Sequence, residues 1–185
     1  MILERIIPYI DITTINCLFI HTVKDSNLDM MILLLERGAN IDAEDTTGFT
    51  SIFFAKTVDV LKLLIDNNAN TEHITDEGMY PLFYYIINDN INLITYMLDD
   101  GYNIDKINNI VNSVDKSALM LTIKLNNKNI AKLLLKHGAN INAENKDGLT
   151  SIFFAKTEDV LKLLIDNRAN VEHTSYDGTY PLYYF

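Results

Sequence analysis

"TSIFFAKT" stands at residues 50–57 and again at residues 150–157. The match extends outward from both copies. Residues 48–85 read "GFTSIFFAKTVDVLKLLIDNNANTEHITDEGMYPLFYY" and residues 148–185 read "GLTSIFFAKTEDVLKLLIDNRANVEHTSYDGTYPLYYF", with 27 of 38 positions identical. A hundred residues is too long a period for one supersecondary unit, so the true repeat has to be sought inside the block.

Two shorter signatures recur there. The first is an apolar run, a polar turn and "AN" or a variant: "LLLERGANIDAED" from residue 33, "LLIDNNANTEH" from 63, "YMLDDGYNIDK" from 96, "LLLKHGANINAEN" from 133 and "LLIDNRANVEH" from 163. The second follows each: "GFTSI" at Gly48, "GMYPL" at Gly78, "DKSAL" at Asp115, "GLTSI" at Gly148 and "GTYPL" at Gly178, spaced by 30, 37, 33 and 30 residues. A block of three small repeats has been copied. The identity of the eight residues reflects that ancestry and by itself assigns them no binding role.

Each unit reads as turn, short helix, turn, longer helix. In "TEDVLKLLIDNRAN", Val160, Leu161, Leu163, Leu164 and Ile165 make a broad apolar face at helical spacing, with Asp159, Lys162 and Asp166 opposite. The longer helix is expected to end at Gly38, Gly101 and Gly138, where a left-handed residue costs nothing. Asn68 tolerates that slot, whereas Arg168 costs about 1 kcal/mol there. The shorter helix is expected to start at Pro81, Pro181 and Ser117, with Thr50 and Thr150 as caps of the others. Segments such as "AEDTTGF" and "AENKDGL" are turns. One helix pair cannot bury its apolar face alone, so neighbouring units must stack.

Composition excludes several classes. With 48% hydrophobic and 22% charged residues the chain is too apolar for disorder. Fifteen Lys and Arg against 25 acids give a net charge of −10, which disfavours nucleic acid and anionic membrane surfaces. Cys17 is the one cysteine, so neither an intramolecular disulfide nor a cysteine-built metal site can form. It is expected to be a small buried residue. The apolar N-terminus is interrupted by Glu4, Arg5, Pro8 and Asp11, unlike a signal peptide. No apolar run reaches the roughly 18 residues of a membrane span. A cytoplasmic or nuclear, non-secreted protein is expected.

The signatures together resemble the ankyrin repeat, from about residue 17 to residue 185. The family's "TPLHxA" is represented by "CLFIHT" at 17, "TSIFFA" at 50, "YPLFYY" at 80 and "SALMLT" at 117, while the "GAN" turn is matched more closely. Twenty-one asparagines and 24 isoleucines add a likeness to the ankyrin proteins of giant DNA viruses that infect amoebae. The resemblance implies an all-α ankyrin-repeat solenoid of about five repeats plus a truncated sixth. Residues 1–15 would be a lead-in helix or cap, followed by repeats over 16–45, 46–75, 76–112, 113–145 and 146–175, and a partial repeat over 176–185. The units of 30 residues lack about one helical turn in the first helix. The unit of 37 residues has about four extra residues within "DKINNIVNSVDK", expected to protrude as a finger.

No chemistry is legible in the side chains. His73 and His173 occupy equivalent slots three repeats apart, too far to share a metal when helices pack at about 8–10 Å. His137 ends a helix, where positive charge is favourable, and His21 has no ligand spacing around it. Nucleotide-loop, nucleophile-elbow and zinc-helix motifs are missing. Acidic pairs such as Asp99–Asp100 and Asp76–Glu77 fall in turns and read as solvated charge. No catalytic residue, cofactor or metal is therefore expected.

The resemblance implies a non-enzymatic module that binds a partner protein through the concave edge of the solenoid, a host protein if the chain is viral. The free positions of that edge are the two residues before the turn glycine and the one after it. They include Thr47, Phe49, Glu77, Met79, Lys116, Asp147, Leu149 and Tyr176. Exposed apolar groups in register, Phe49, Met79 and Leu149, would make a binding stripe unless each packs on its own turn. Acidic neighbours Glu44, Asp76, Glu77, Glu144, Asp147 and Asp177 would favour a basic or mixed partner. The alternative is self-association through Tyr180, Leu182 and Phe185, in a partial repeat whose second helix is missing.

Overall fold

The computed structural model describes residues 10–102, 104 and 117–181. Among these are eight α-helices and two 3₁₀ turns, and no strand. The helices are α1 (Ile12–Lys24), α2 (Leu28–Glu36), α3 (Val58–Asp66), α4 (Pro81–Ile87), α5 (Ile91–Asp99), α6 (Ala118–Lys124), α7 (Lys128–Lys136) and α8 (Glu158–Asp166), and the 3₁₀ turns are Ser51–Phe54 and Ser151–Phe154. The chain divides into two compact units, Met1–Tyr84 and Tyr85–Phe185. The finger expected within 105–116, and Lys116 with it, lies outside the described residues, as do Leu182 and Phe185. So does most of the lead-in expected over 1–15, and α1 runs unbroken through residues 15 and 16. No helix among the described residues is long and apolar enough to cross a membrane.

In the first unit α1 packs on α2 and on the Ser51–Phe54 turn, and α3 packs on that same turn. Its interior is Phe19, Val23, Met31, Leu34, Ile52, Phe53, Leu61 and Leu64, each almost fully buried. A side chain of this size contributes about 1.5–3 kcal/mol on burial. In the second unit α6 packs on α7 and on Ser151–Phe154, with α8 against both. Leu119, Met120, Ile123, Ile130, Leu134, Ile152 and Leu164 fill its core.

Polar side chains start most helices. Asp11 accepts from the Thr14 N–H at 3.0 Å, Asn27 from Met30 at 3.1 Å, Thr57 from Val60 at 3.3 Å, Ser117 from Met120 at 3.1 Å and Asn127 from Ile130 at 3.1 Å, each satisfying an N–H that the helix leaves open. The helices end as the sequence implies. Gly38, Gly101 and Gly138 have φ of 85°, 89° and 85°, and Asn68 and Arg168 take the same slot at 64° and 68°. Helix pairs α1–α2, α4–α5 and α6–α7 reverse through Ser26, Asp89 and Asn126, also left-handed. The following N–H then bonds back into the first helix, as Asn27 does to the Thr22 carbonyl at 3.0 Å and Asn127 to that of Thr122 at 3.0 Å.

The 30-residue units depart from expectation. Their first element is a single 3₁₀ turn, not a short α-helix. With fewer residues available there is no helical reversal, and the chain leaves through extended Ala55 and Ala155 straight to the next helix. Thr50 and Thr150 hold the N-cap position but make no capping hydrogen bond, so the expected caps are absent. Two further expectations are corrected. Cys17 is exposed, because α1 buries Ile15, Phe19 and Val23 on the side away from it. Ile165 is also exposed, since α8 buries only Val160 and Leu164.

Candidate functional site

The expected site residues among those described sit at the tips of hairpin turns, and each of these tips is pinned by a short polar side chain. Asp45 N–H donates to the Phe49 carbonyl at 2.9 Å, while its Oδ1 accepts from Thr47 N–H at 2.9 Å, Thr47 Oγ1 at 2.6 Å and Phe49 N–H at 3.2 Å. Asn145 does the same in the second unit, accepting from Asp147 and Leu149 N–H at 2.9 Å each. At the other two described tips a hydroxyl replaces the Asx oxygen: Thr75 Oγ1 accepts from Met79 N–H at 3.1 Å, and Ser175 Oγ from Thr179 N–H at 3.1 Å. The glycine between has positive φ at each tip, between 74° and 84°, a conformation that suits Gly alone at no steric cost.

Below the tips runs a ladder of asparagines, which explains the recurring "AN". Asn40 Oδ1 accepts from Asp42 N–H at 3.1 Å, and Asp42 Oδ1 accepts from Asn70 N–H of the next repeat at 2.8 Å. The second unit repeats this through Asn140, Asn142 and Asn170. The hairpins therefore stand on a fixed backbone, and their tips are free to vary.

Of the expected residues, Thr47, Glu77, Asp147 and Tyr176 are exposed, while Phe49, Met79 and Leu149 are half-buried. Phe49 packs edge-on against Phe53 at 4.8 Å and Tyr84 at 5.7 Å, so part of its ring serves the interior. Asp147 and Tyr176 are brought together: the Tyr176 N–H donates to the Asp147 carbonyl at 3.1 Å. The Tyr176 side chain, 72% exposed, lies over Gly148, and a Cβ there would stand 2.6 Å from the ring. Its hydroxyl donates to Glu144 Oε2 at 3.1 Å, and that bond with the carboxylate charge pushes the phenol pKa up. Tyr180 is exposed as well.

Sequence reasoning missed Lys124, Phe154 and Lys156, which with Leu149 and Phe153 border a depression of about 460 Å³. The signal for it was the change from Phe49 to Leu149 immediately before the copied "TSIFFAKT". His73 and His173 are partnered within their units, at 2.9 and 2.8 Å from the carbonyls of Gly48 and Gly148. Nε2 of His137 lies 3.4 Å from Asp99. Among the described residues no group of three or more His, Cys, Asp and Glu gathers to hold a metal ion.

Paired helices and 3₁₀ turns, stacked beneath pinned hairpins with variable tips, define an all-α repeat protein. A model of ankyrin repeats in three copies matches residues 55–145 and again 105–177, and the chain belongs to the ankyrin repeat family. The expected likeness to viral members is found. The chain is 32% identical over 126 residues to an ankyrin repeat protein of Acanthamoeba polyphaga mimivirus, covering 66% of this chain and 38% of that protein. It is 31% identical over 96 residues to one of fowlpox virus, covering 51% and 21%. It is also 32% identical over 134 residues to the neurogenic locus notch homolog protein 1 of Homo sapiens, covering 70% of this chain and 5% of that one. The chain thus spans well under half the length of these relatives. Ankyrin repeats are generally protein–protein interaction modules and generally non-enzymatic.

Proposed function

We propose that the chain is a non-enzymatic interaction module that binds a partner protein through the edge carrying its hairpin tips, the edge that is concave in the family. The observation that carries this reading is the position after the turn glycine. There Phe49, Met79 and Leu149 are large, apolar and still half-exposed, on tips whose backbone is already pinned. A partner burying them would lose little entropy in ordering the site, the condition under which a few apolar anchors dominate binding. Glu44, Asp76 and Glu77 in the first unit and Glu144, Asp147 and Asp177 in the second are exposed on the same turn segments, which favours a basic or mixed partner and fast, salt-sensitive association. The viral relatives support a host-cell protein as that partner, met in the cytoplasm or nucleus.

The test is capture from cell extract by wild type and by Phe49→Glu/Met79→Glu/Leu149→Glu, read by mass spectrometry. The variant must first keep its helical melt. A protein retained by wild type and lost by the variant supports the edge. Identical captures assign the three side chains to packing, and attention then passes to self-association near Tyr180, measured as concentration-dependent mass.

A further inference from the structure

The two copied blocks share an aromatic floor and differ in what covers it. In the first, Phe49 lies 4.8 Å from the Phe53 ring and 6.0 Å from that of Phe54, and Lys24 Nζ sits 3.9 Å from the centre of the Phe54 ring. In the second the floor residues are the same and Leu149 stands in the place of Phe49; the counterpart of Tyr84, which also packs on Phe53 in the first block, lies outside the described residues. There the floor borders the depression of about 460 Å³ lined by Lys124, Leu149, Phe153, Phe154, Ala155 and Lys156. That volume falls within the usual range of a pocket for a side-chain-sized or larger ligand.

Its chemistry is two-sided. The floor is apolar, with Phe153 and Ala155 buried and Phe154 and Leu149 half-exposed. The rim carries Lys124 and Lys156, both exposed. Lys156 Nζ donates to the Lys124 carbonyl at 2.7 Å, which holds its ammonium beside the end of α6. In a chain of net charge −10, Lys124 and Lys156 put two positive charges at one opening.

We propose that this depression docks an aromatic side chain of a partner segment, with an acidic residue beside it paired to Lys124 and Lys156. The proposal rests on the interaction reading above and narrows it to the chemistry of one contact. The first block shows which group suits the floor: a phenylalanine ring resting on the same two phenylalanines. The lysines supply the preference for a flanking carboxylate, which steers the segment and fixes its register.

The probe is a fluorescein-labelled peptide, Asp-Asp-Phe-Asp-Asp, followed by anisotropy on the full chain. Saturable binding is expected, weakened about tenfold or more by Leu149→Phe, which places the first block's residue over the floor, and by Lys124→Glu. Both variants should keep the wild-type melt. A peptide with Ala for Phe, or with Lys for Asp, should lose binding. Unchanged affinity in folded Leu149→Phe overturns the proposal, as does equal binding of the lysine peptide or no saturable binding. A concentration-dependent dimer abolished by Leu149→Phe would give it to a second copy and overturn it too. If the peptide fails while the stripe variant still loses its captured protein, the depression falls and the edge reading stands. If both fail, both fall.

Discussion

His73 places Nε2 2.9 Å from the carbonyl oxygen of Gly48, the turn glycine of the preceding hairpin. A carbonyl only accepts, so Nε2 carries the proton in this pair. The ring also meets Phe53 edge-on at 5.9 Å, so the imidazole ties one hairpin to the floor beneath its neighbour. His173 repeats both contacts, at 2.8 Å to Gly148 and 6.1 Å to Phe153. Replacing His73 by Phe preserves the ring packing and removes the donor. The expected cost is about 1 kcal/mol, the net worth of one such hydrogen bond, read as a lower urea midpoint at unchanged slope. A midpoint equal to wild type would show that Gly48 finds water instead.

Much of the fold was legible because repeats constrain one another. The glycine ends at Gly38, Gly101 and Gly138 have the conformation that spacing required, and the pattern placed Asn68 and Arg168 in the same slot. The 3₁₀ turns were not legible. "TSIFF" suits either helix type, and the outcome is decided by how many residues remain before the next helix cap, a property of the whole unit. The exposure of Cys17 escaped for a similar reason: a residue near the start of an apolar stretch has no face until its helix phase is known. At the candidate site the tip positions could be named from the pattern. Whether Phe49 faces outward or inward could not, because its packing depends on Tyr84, far along the chain.

Arg168 is a visible conflict between sequence and backbone. It is exposed, with φ at 68°, in a slot its sister repeats give to Gly or Asn. A side chain with a Cβ costs about 1 kcal/mol there. Arg168→Gly removes that strain, less the disorder that glycine adds to the unfolded chain. A rise in thermal midpoint of a few degrees is expected, with a smaller change for Asn68→Gly, since asparagine tolerates the conformation. A fall in midpoint for Arg168→Gly would mean that its side chain contributes more than its backbone costs.

Thr50 and Thr150 are fully buried with hydroxyls that have no hydrogen-bond partner. The backbone carbonyls still close the 3₁₀ turns, as Thr50 does with Phe53 N–H at 3.2 Å. The hydroxyl is thus the dispensable part. Thr50→Val or Thr150→Val substitutes a methyl of similar shape and is expected to stabilise by about 1 kcal/mol, the lower end of the penalty for an unpaired buried polar atom. Chemical denaturation measures this directly, and a loss of stability would reveal that the hydroxyls are satisfied in solution.

Asp45 and Asn145 pin equivalent hairpins with the same oxygen, yet only one of them titrates. Burial pushes the Asp45 carboxyl up, but the bonds from the Thr47 hydroxyl and from the N–H groups of Thr47 and Phe49 outweigh it, leaving the pKa below its ordinary 3.8. A carboxylate with a depressed pKa favours the folded state above its unfolded value, and that contribution is lost as pH falls through the folded value. Asp45→Asn keeps the accepting oxygen and removes the proton site. The variant is therefore expected to differ from wild type by a constant amount from neutral pH down to about 5, and then to lose less stability than wild type as pH drops below about 4. Denaturation curves at a series of pH values decide it. Parallel acid limbs would mean that Asp45 binds its turn no more tightly when ionised, and that the neutral Asn145 arrangement is the sufficient one for both tips.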